Sequence, residues 1–339
     1  RKGVKWHDGE DFDADDVIYT YNRIQSPDHP NVQSRSFFST VESYKKLNSH
    51  SFQVTFKEKY FRALIVLGFN PIMPEHVKDL DKTPIGTGPF FYHSRKPNQF
   101  VKVKRFEDYW GEPFEITTIE YRIVPDNDLA FQKLKKGELD VMGLREITFF
   151  KQTNSEKFLN NFHKIVFPAS SYVFIAWSDD EPFFKTPKLR RAMMQALNRK
   201  KIHQKLRYGL GKLVTGPFFS GGPEYNHEIE PIAFDVQAAK RAFEEEGWLD
   251  SDGDGILDKN GKKFEFTFLL TSGNDLAARL ATIYKEDLKQ LGVEMNIERL
   301  EWATFSQKLM ARDYQSMILA MGVPQALDPF STWHSSQAG

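Results

Sequence analysis

Nine consecutive residues, Asp250-Ser251-Asp252-Gly253-Asp254-Gly255-Ile256-Leu257-Asp258, put carboxylates at positions 1, 3, 5 and 9 of a calcium-loop pattern. Gly255 falls at the sharp turn and Ile256 where a backbone carbonyl would face the ion, so oxygen ligands for a hard cation are in order. Position 12 is Gly261, however, and the bidentate acid that closes an EF-hand loop is missing. The simpler reading is an acidic, glycine-rich connection whose carboxylates are solvated and which folds without metal. Asp250, Asp252, Asp254 and Asp258 remain the candidate ligands if calcium binds.

Other chemistry has less to stand on. His7-Asp8 beside Trp6 resembles a base and its orienter, but adjacent turn residues rarely converge, and a solvated turn is simpler. Gly86-Thr87-Gly88 lacks the following helix N-terminus that makes a phosphate cradle, so it reads as a structural turn. HExxH, GxSxG, GxxxxGK[ST] and GxGxxG do not occur, and the nine His have no metal-ligand spacing. Nothing here specifies an enzyme. Zero Cys removes disulfides, thiolate metal sites and cysteine nucleophiles, and fits an extracytoplasmic bacterial protein as well as many cytoplasmic ones.

Aromatics are the remaining resource: 30 Phe, 12 Tyr and 6 Trp, 14% of the chain, enough that some could line a binding surface. Tyr172 and Trp177 bound an apolar run, and Trp302 follows a strand pattern. Core burial is the ordinary fate of such residues.

The elements that must position these residues are legible in part. Asp13 is placed to cap a helix over about 14–24, with acids in its first turn opposing the helix dipole. Phe52, Val54 and Phe56 alternate, as do Val101 and Val103, which predicts short strands. Pro71, Pro74, Pro84 and Gly86-Thr87-Gly88-Pro89 are the densest chain-breakers, and a boundary is expected near residue 83. Leu189, Met193, Ala196 and Leu197, after Pro187, predict one long amphipathic helix over 188–208. Phe264, Phe266, Phe268 and Leu270 alternate. Leu276, Leu280, Ile283, Tyr284, Leu288 and Leu291 then line a helix face that Gly292 closes, and Val293, Met295 and Ile297 alternate again. Such a strand-helix-strand unit requires a right-handed crossover to a parallel strand, hence an α/β fold.

The 339 residues suffice for two or three domains. Lys plus Arg equal Asp plus Glu at 46 each, so no global field gathers polyanions, and nucleic acid is not an expected partner. Apolar runs stay well short of the ~20 residues that span a bilayer.

Several blocks, in order, resemble the extracytoplasmic solute-binding proteins of peptide and nickel ABC transporters. They are Gly3-Val4-Lys5-Trp6-His7-Asp8-Gly9 with Asp15-Asp16-Val17, then Pro84-Ile85-Gly86-Thr87-Gly88-Pro89-Phe90, then Arg105-Phe106-Glu107-Asp108-Tyr109-Trp110-Gly111. Gly137-Glu138-Leu139-Asp140, Leu189-Arg190-Arg191-Ala192 with Ala196-Leu197-Asn198-Arg199, Glu301-Trp302 and Asp328-Pro329 complete the series. The resemblance implies an α/β, two-lobe, periplasmic-binding-protein-like fold with an extra subdomain on the first lobe. The implied division is 1–82 (subdomain), 83–166 (first lobe), 167–325 (second lobe) and 326–339 (end of the second lobe, before a return to the first). The chain is therefore expected to be an internal piece of a longer protein.

The implied function is capture of an oligopeptide or similar extended solute between the lobes and delivery to an ABC permease in the membrane, by a monomer without catalysis or cofactor. The implied location is the periplasm or the outer face of the cytoplasmic membrane. Tyr172, Trp302, Gly322 and Asp328 are the implied ligand-binding residues, whereas Gly86, Gly88, Tyr109, Trp110 and Arg190 are expected to maintain turns and packing. Where peptide binders of the family hold the ligand ammonium with an Asp, this chain has Ala326, so Asp328 is the candidate replacement, and Trp177-Ser178 stands where the family has Phe-Asn. The rival reading is a ligand-sensing domain of a transcription regulator with the same fold; a hydrolase using the acidic clusters is a third.

Overall fold

In the computed structural model, Asp13 caps the first helix, α1 (Ala14–Gln25), and Asp16 reaches back to the Asp13 N–H to complete a capping box. Residues 1–28, 34–35, 38–167, 169–323 and 328–337 are described. Contacts divide the chain into two units, Arg1–Met142 and Gly143–Gly339.

In the first unit, α1 packs its Val17, Tyr21 and Ile24 against the hairpin β1 (Val41–Asn48) and β2 (Ser51–Phe56) and against Val66 of α2 (Ala63–Phe69). The acids of the first turn do not share one fate. Asp16 is buried and accepts three hydrogen bonds: from Trp6 Nε1 at 3.0 Å, Asp13 N at 3.1 Å and Glu75 N at 2.9 Å. One turn later, Thr20 Oγ1 accepts from Met73 N at 2.8 Å. One face of α1 thus fastens both the opening segment and the chain that leaves α2.

After the Pro- and Gly-rich run come β3 (Phe90–Lys96), β4 (Phe100–Arg105) and β5 (Thr118–Arg122), an antiparallel sheet in that order, and then α3 (Asn127–Lys135). Three of the sequence blocks meet here. His7 N–H donates to Gly86 O at 3.0 Å, Gly86 N–H donates to His7 Nδ1 at 3.1 Å, and His7 Nε2 lies 2.9 Å from Gly88 O. With Nδ1 as acceptor and Nε2 facing a carbonyl, both ring nitrogens fix the imidazole in one orientation. Trp110 Nε1 donates to Thr87 O at 2.9 Å, and the Arg1 guanidinium sits 4.2 Å from the Trp110 ring centre. Gly86-Thr87-Gly88 is a clamped turn, and His7 is its clamp.

The second unit opens with α4 (Glu146–Lys151) and α5 (Glu156–Leu159). Phe150 stacks on Tyr208 at 5.2 Å and Glu146 pairs with Arg207 at 2.8 Å, so α4 packs on residues far along the chain. Then follow β6 (Ser171–Trp177), α6 (Pro187–Gln195), α7 (Arg199–Leu206) and α8 (Val236–Glu245). The single helix expected over 188–208 is two helices. Asn198 is the cause: its side chain accepts from Lys201 N and starts α7 afresh.

The two-residue strands β7 (Asp258–Lys259) and β8 (Lys262–Lys263) form a small hairpin ahead of β9 (Glu265–Thr271). α9 (Asp275–Lys289) crosses over to β10 (Glu294–Leu300), which pairs parallel to β9 as the sequence pattern required. α10 (Trp302–Ala311), β11 (Ser316–Gly322) and α11 (Phe330–Trp333) complete the unit, and the sheet order is β10-β9-β11-β6.

Both faces of this sheet are covered. Phe266, Phe268 and Leu270 face a core with Phe183, Phe243, Trp248 and Tyr284, while Leu269 and Met317 face Phe305 of α10. The buried Tyr284 hydroxyl donates to Met193 O at 2.9 Å, joining α9 to α6. Gly292, at φ +75°, lies under the acidic loop: a Cβ there would stand 3.1 Å from Leu257 Cγ and 3.2 Å from Gly255 O. Gly292→Ala therefore combines a left-handed backbone with a close approach, and the expected loss is about 1–2 kcal/mol, read from the midpoint of denaturant unfolding. An unchanged midpoint would show that the loop yields freely.

Candidate functional site

β9, β10 and β11 run parallel, so their carboxyl ends share one edge of the sheet, and antiparallel β6 brings its first residues to the same edge. In open α/β sheets this edge is where ligands bind, because loops there are free to carry side chains without disturbing the core. Tyr172 is paired with Met321, and Ser171 with Gly322. Trp302 begins α10 just after Leu300, the last residue of β10, which pairs with Thr271 at the end of β9. β6, which bears Tyr172, and β10, which leads into Trp302, are the two outer strands, three inter-strand steps or roughly 14 Å apart. An extended ligand across the strand ends could reach both.

Each side chain is set differently. Tyr172 is half-buried; its hydroxyl lies 3.5 Å from Met321 Sδ and its ring 5.5 Å from that of Phe174. Burial pushes the phenol pKa up, so the hydroxyl stays protonated and is a donor at neutral pH. Trp302 is 64% exposed and stacks at 6.0 Å on the buried Phe305, which anchors α10. It is not a core residue. Gly322 is exposed, the nearest atom to an added Cβ being Ser170 O at 4.0 Å, so no close packing demands glycine. Asp328 Oδ1 accepts from Phe330 N at 3.0 Å at the start of α11, and Trp333 of that helix meets Phe174 edge-on at 6.2 Å. Ala326, the position of the family's ammonium-binding acid, lies outside the described residues.

The structure thus brings Tyr172 and Gly322 together on adjacent strands, joins the Asp328 segment to β6 through Trp333, and puts Trp302 on the same edge. Sequence reasoning passed over Phe174, Met321 and Trp333. The period-two alternation that puts Phe174 on the Tyr172 face was available in the run 172–177.

The acidic loop is a different kind of place. Carboxylate oxygens of Asp250, Asp252 and Asp254 lie within 4.8 Å of one another, but these side chains already have partners. Asp250 accepts from Gly253 N at 2.9 Å and Gly255 N at 3.0 Å, and Asp254 accepts from Ile256 N at 2.9 Å. The Lys263 ammonium pairs with both Asp252 and Asp254. Asp258, the expected fourth ligand, does not join them: its carboxylate takes Ser251 N at 2.9 Å and Ser251 Oγ at 2.7 Å. Position 9 starts β7, and the strand turns its side chain back onto the loop's own backbone. Lysine supplies the charge a cation would bring. Millimolar calcium should consequently move the melting temperature by about 1 °C or less; a rise of many degrees, abolished in Asp252→Ala, would overturn this.

A shallow groove at the opposite, amino-terminal ends of β9 and β10 is lined by Lys262, Lys263, Glu265, Thr267, Asn296 and Gln315. Its polar groups already have partners: Asn296 Nδ2 donates to Glu265 at 2.7 Å, Gln315 Oε1 accepts from the Thr267 backbone N–H at 2.7 Å, Lys262 pairs with Glu181, and Lys263 with Asp252 and Asp254.

The arrangement of a mixed sheet between helices, with aromatic side chains at the carboxyl edge, is that of a binding protein of the α/β, two-lobe periplasmic class, and known proteins share it. The oligopeptide-binding protein AppA of Bacillus subtilis, solved in complex with a nonapeptide, matches with a TM-score of 0.84 at 28% identity over 99% of this chain and 69% of that one. NikZ of Campylobacter jejuni, solved with Ni(L-His), matches in fold with a TM-score of 0.85 at 23% identity, covering 99% and 68%. In sequence, Bacillus subtilis AppA is 32% identical over 358 residues, 99% of this chain and 64% of the relative, so the chain spans just under two thirds of that protein. The model of the bacterial extracellular solute-binding proteins, family 5, matches residues 1–339, and the chain belongs to that family. Among the described residues, no helix is long and apolar enough to cross a membrane.

Proposed function

We propose that the protein is the extracytoplasmic solute receptor of an ABC importer, taking an oligopeptide or similar extended solute between two lobes and passing it to a permease in the membrane. The observation that carries this reading is the gathering of Tyr172, Gly322 and Trp302 at the carboxyl edge of one sheet. A relative solved with a nonapeptide supports the peptide class. Closure follows as a population shift: the ligand binds the closed form better than the open form, and only that difference in affinity drives the lobes together. The division at 82, 166 and 325, a monomeric state, residence in the periplasm or on the outer face of the cytoplasmic membrane, and the absence of catalysis belong to the same proposal. The regulator reading gains nothing from the relatives described above.

Titration calorimetry with tri-alanine and a soluble nonapeptide, with nickel–histidine alongside, tests it. Saturable peptide binding is expected, and binding of nickel–histidine alone would overturn the peptide class. We assign the ligand's ammonium end to Asp328. Asp328→Asn retains a side-chain oxygen for the Phe330 N–H while removing the charge, so the fold should persist and peptide affinity should fall about tenfold. Unchanged affinity excludes the assignment.

A further inference from the structure

The partner of the Tyr172 hydroxyl is a poor one. Strand pairing sets Tyr172 opposite Met321, and the phenol points its oxygen at the thioether sulfur, 3.5 Å away. A thioether is a weak acceptor, and the long, unbranched Met side chain moves aside at little cost. The phenol is half-buried at the ligand-binding edge, with the Phe174 ring against it, so it is a donor partly screened from water and not committed to a strong bond.

We propose that Met321 is a positioning residue: its sulfur parks the Tyr172 hydroxyl in the empty receptor, and a ligand oxygen, a peptide carbonyl or a carboxylate, displaces it. The inference rests on the peptide reading above and adds which ligand atom meets this edge, an acceptor and not the ammonium. The thioether holds the donor aimed. The arriving oxygen then replaces a weak acceptor with a full hydrogen bond, and the sulfur loses little.

Binding of tri-alanine and the soluble nonapeptide by the wild-type protein, Met321→Leu, Tyr172→Phe and the double variant tests this by calorimetry. Leucine keeps the volume and removes the acceptor, so the hydroxyl should turn to water and affinity should fall roughly three- to tenfold. In the Tyr172→Phe background the same change should cost less than about twofold, since no hydroxyl is left to position. The tyrosine absorption band of the free protein should shift in Met321→Leu and not when both residues are changed. An equal loss in both backgrounds makes Met321 a packing residue and overturns the proposal, as does unchanged affinity. If wild-type protein binds neither peptide, the peptide reading falls and this inference with it.

Discussion

Replacing Asp16 by alanine should cost the first unit about 3–5 kcal/mol, the largest loss expected from any single polar side chain described above. Three donors converge on this buried carboxylate: the Trp6 indole, the Asp13 N–H and the Glu75 N–H. Trp6 is 1% exposed and Asp16 4%, so water has no ready way to replace the oxygen that faces the indole, whereas the Asp13 and Glu75 amides lie nearer the surface. A hydrogen bond to a charged group is worth about 1.5–3 kcal/mol, and water reaching the part-buried Asp13 and Glu75 amides keeps the three from adding in full. A loss of this size should lower the melting temperature of the unit by roughly 10 °C or more. Asp16→Asn should cost less, because one amide oxygen still serves one side of the site. Asp15→Ala is the control: it has the same charge in the same turn, but its carboxylate is exposed and pairs with the Lys46 ammonium. If Asp16→Ala melts with Asp15→Ala, the carboxylate is not what holds residues 6 and 75 to α1.

That contrast shows what a sequence can and cannot say. Asp13 as a cap and the acids of the first turn follow from local rules, and the helix starts where they place it. Nothing local separates Asp15 from Asp16, because burial of Asp16 depends on Trp6 and Glu75, which only the folded chain brings near. The blocks around His7, Gly86 and Trp110 behave likewise. They stood out as pieces of a family pattern, while the reason for them, an imidazole clamped between two glycine backbones, spans some eighty positions. The strand-helix-strand unit over 264–300 was legible because period-two and helical periodicities are encoded residue by residue. The break between α6 and α7 was missed because apolar spacing continues through Ala196 and Leu197. A single capping side chain on Asn198 outweighed it.

For the site, the balance is different. Tyr172 and Trp302 came from family resemblance, and the structure supplies the physical context: one sheet edge, one half-buried phenol and one exposed indole. Phe174, Met321 and Trp333 had no motif to mark them, and their relation to Tyr172 is a matter of register and of a helix arriving from far along the chain. The acidic loop shows the converse. Its spacing matched a cation pattern, yet Lys263 from the neighbouring hairpin fills the electrostatic role, which no spacing rule within the loop could reveal.

Trp302→Ala should weaken peptide binding roughly thirtyfold, about 2 kcal/mol, and leave the fold nearly untouched. The indole is 64% exposed and rests on Phe305, which is itself fully buried, so truncation forfeits one stacked pair and little else. That loss amounts to about 1 kcal/mol of stability, partly offset because alanine suits the first position of a helix. Trp248 provides the opposite case: it is 1% exposed and packed against Phe183 at 5.7 Å and Phe264 at 4.8 Å. Trp248→Ala should cost ~3–5 kcal/mol through the cavity it opens. The two tryptophans therefore separate binding from folding. Calorimetry with the soluble nonapeptide and thermal melts of both variants make the comparison. A melting temperature for Trp302→Ala as low as that of Trp248→Ala would show that the exposed indole supports the fold, and full peptide affinity would remove it from the site. The expected pattern, a normal melt with lost affinity, would place the ligand across the carboxyl ends of β10, β9, β11 and β6, where a chain long enough to touch both Trp302 and Tyr172 must lie extended.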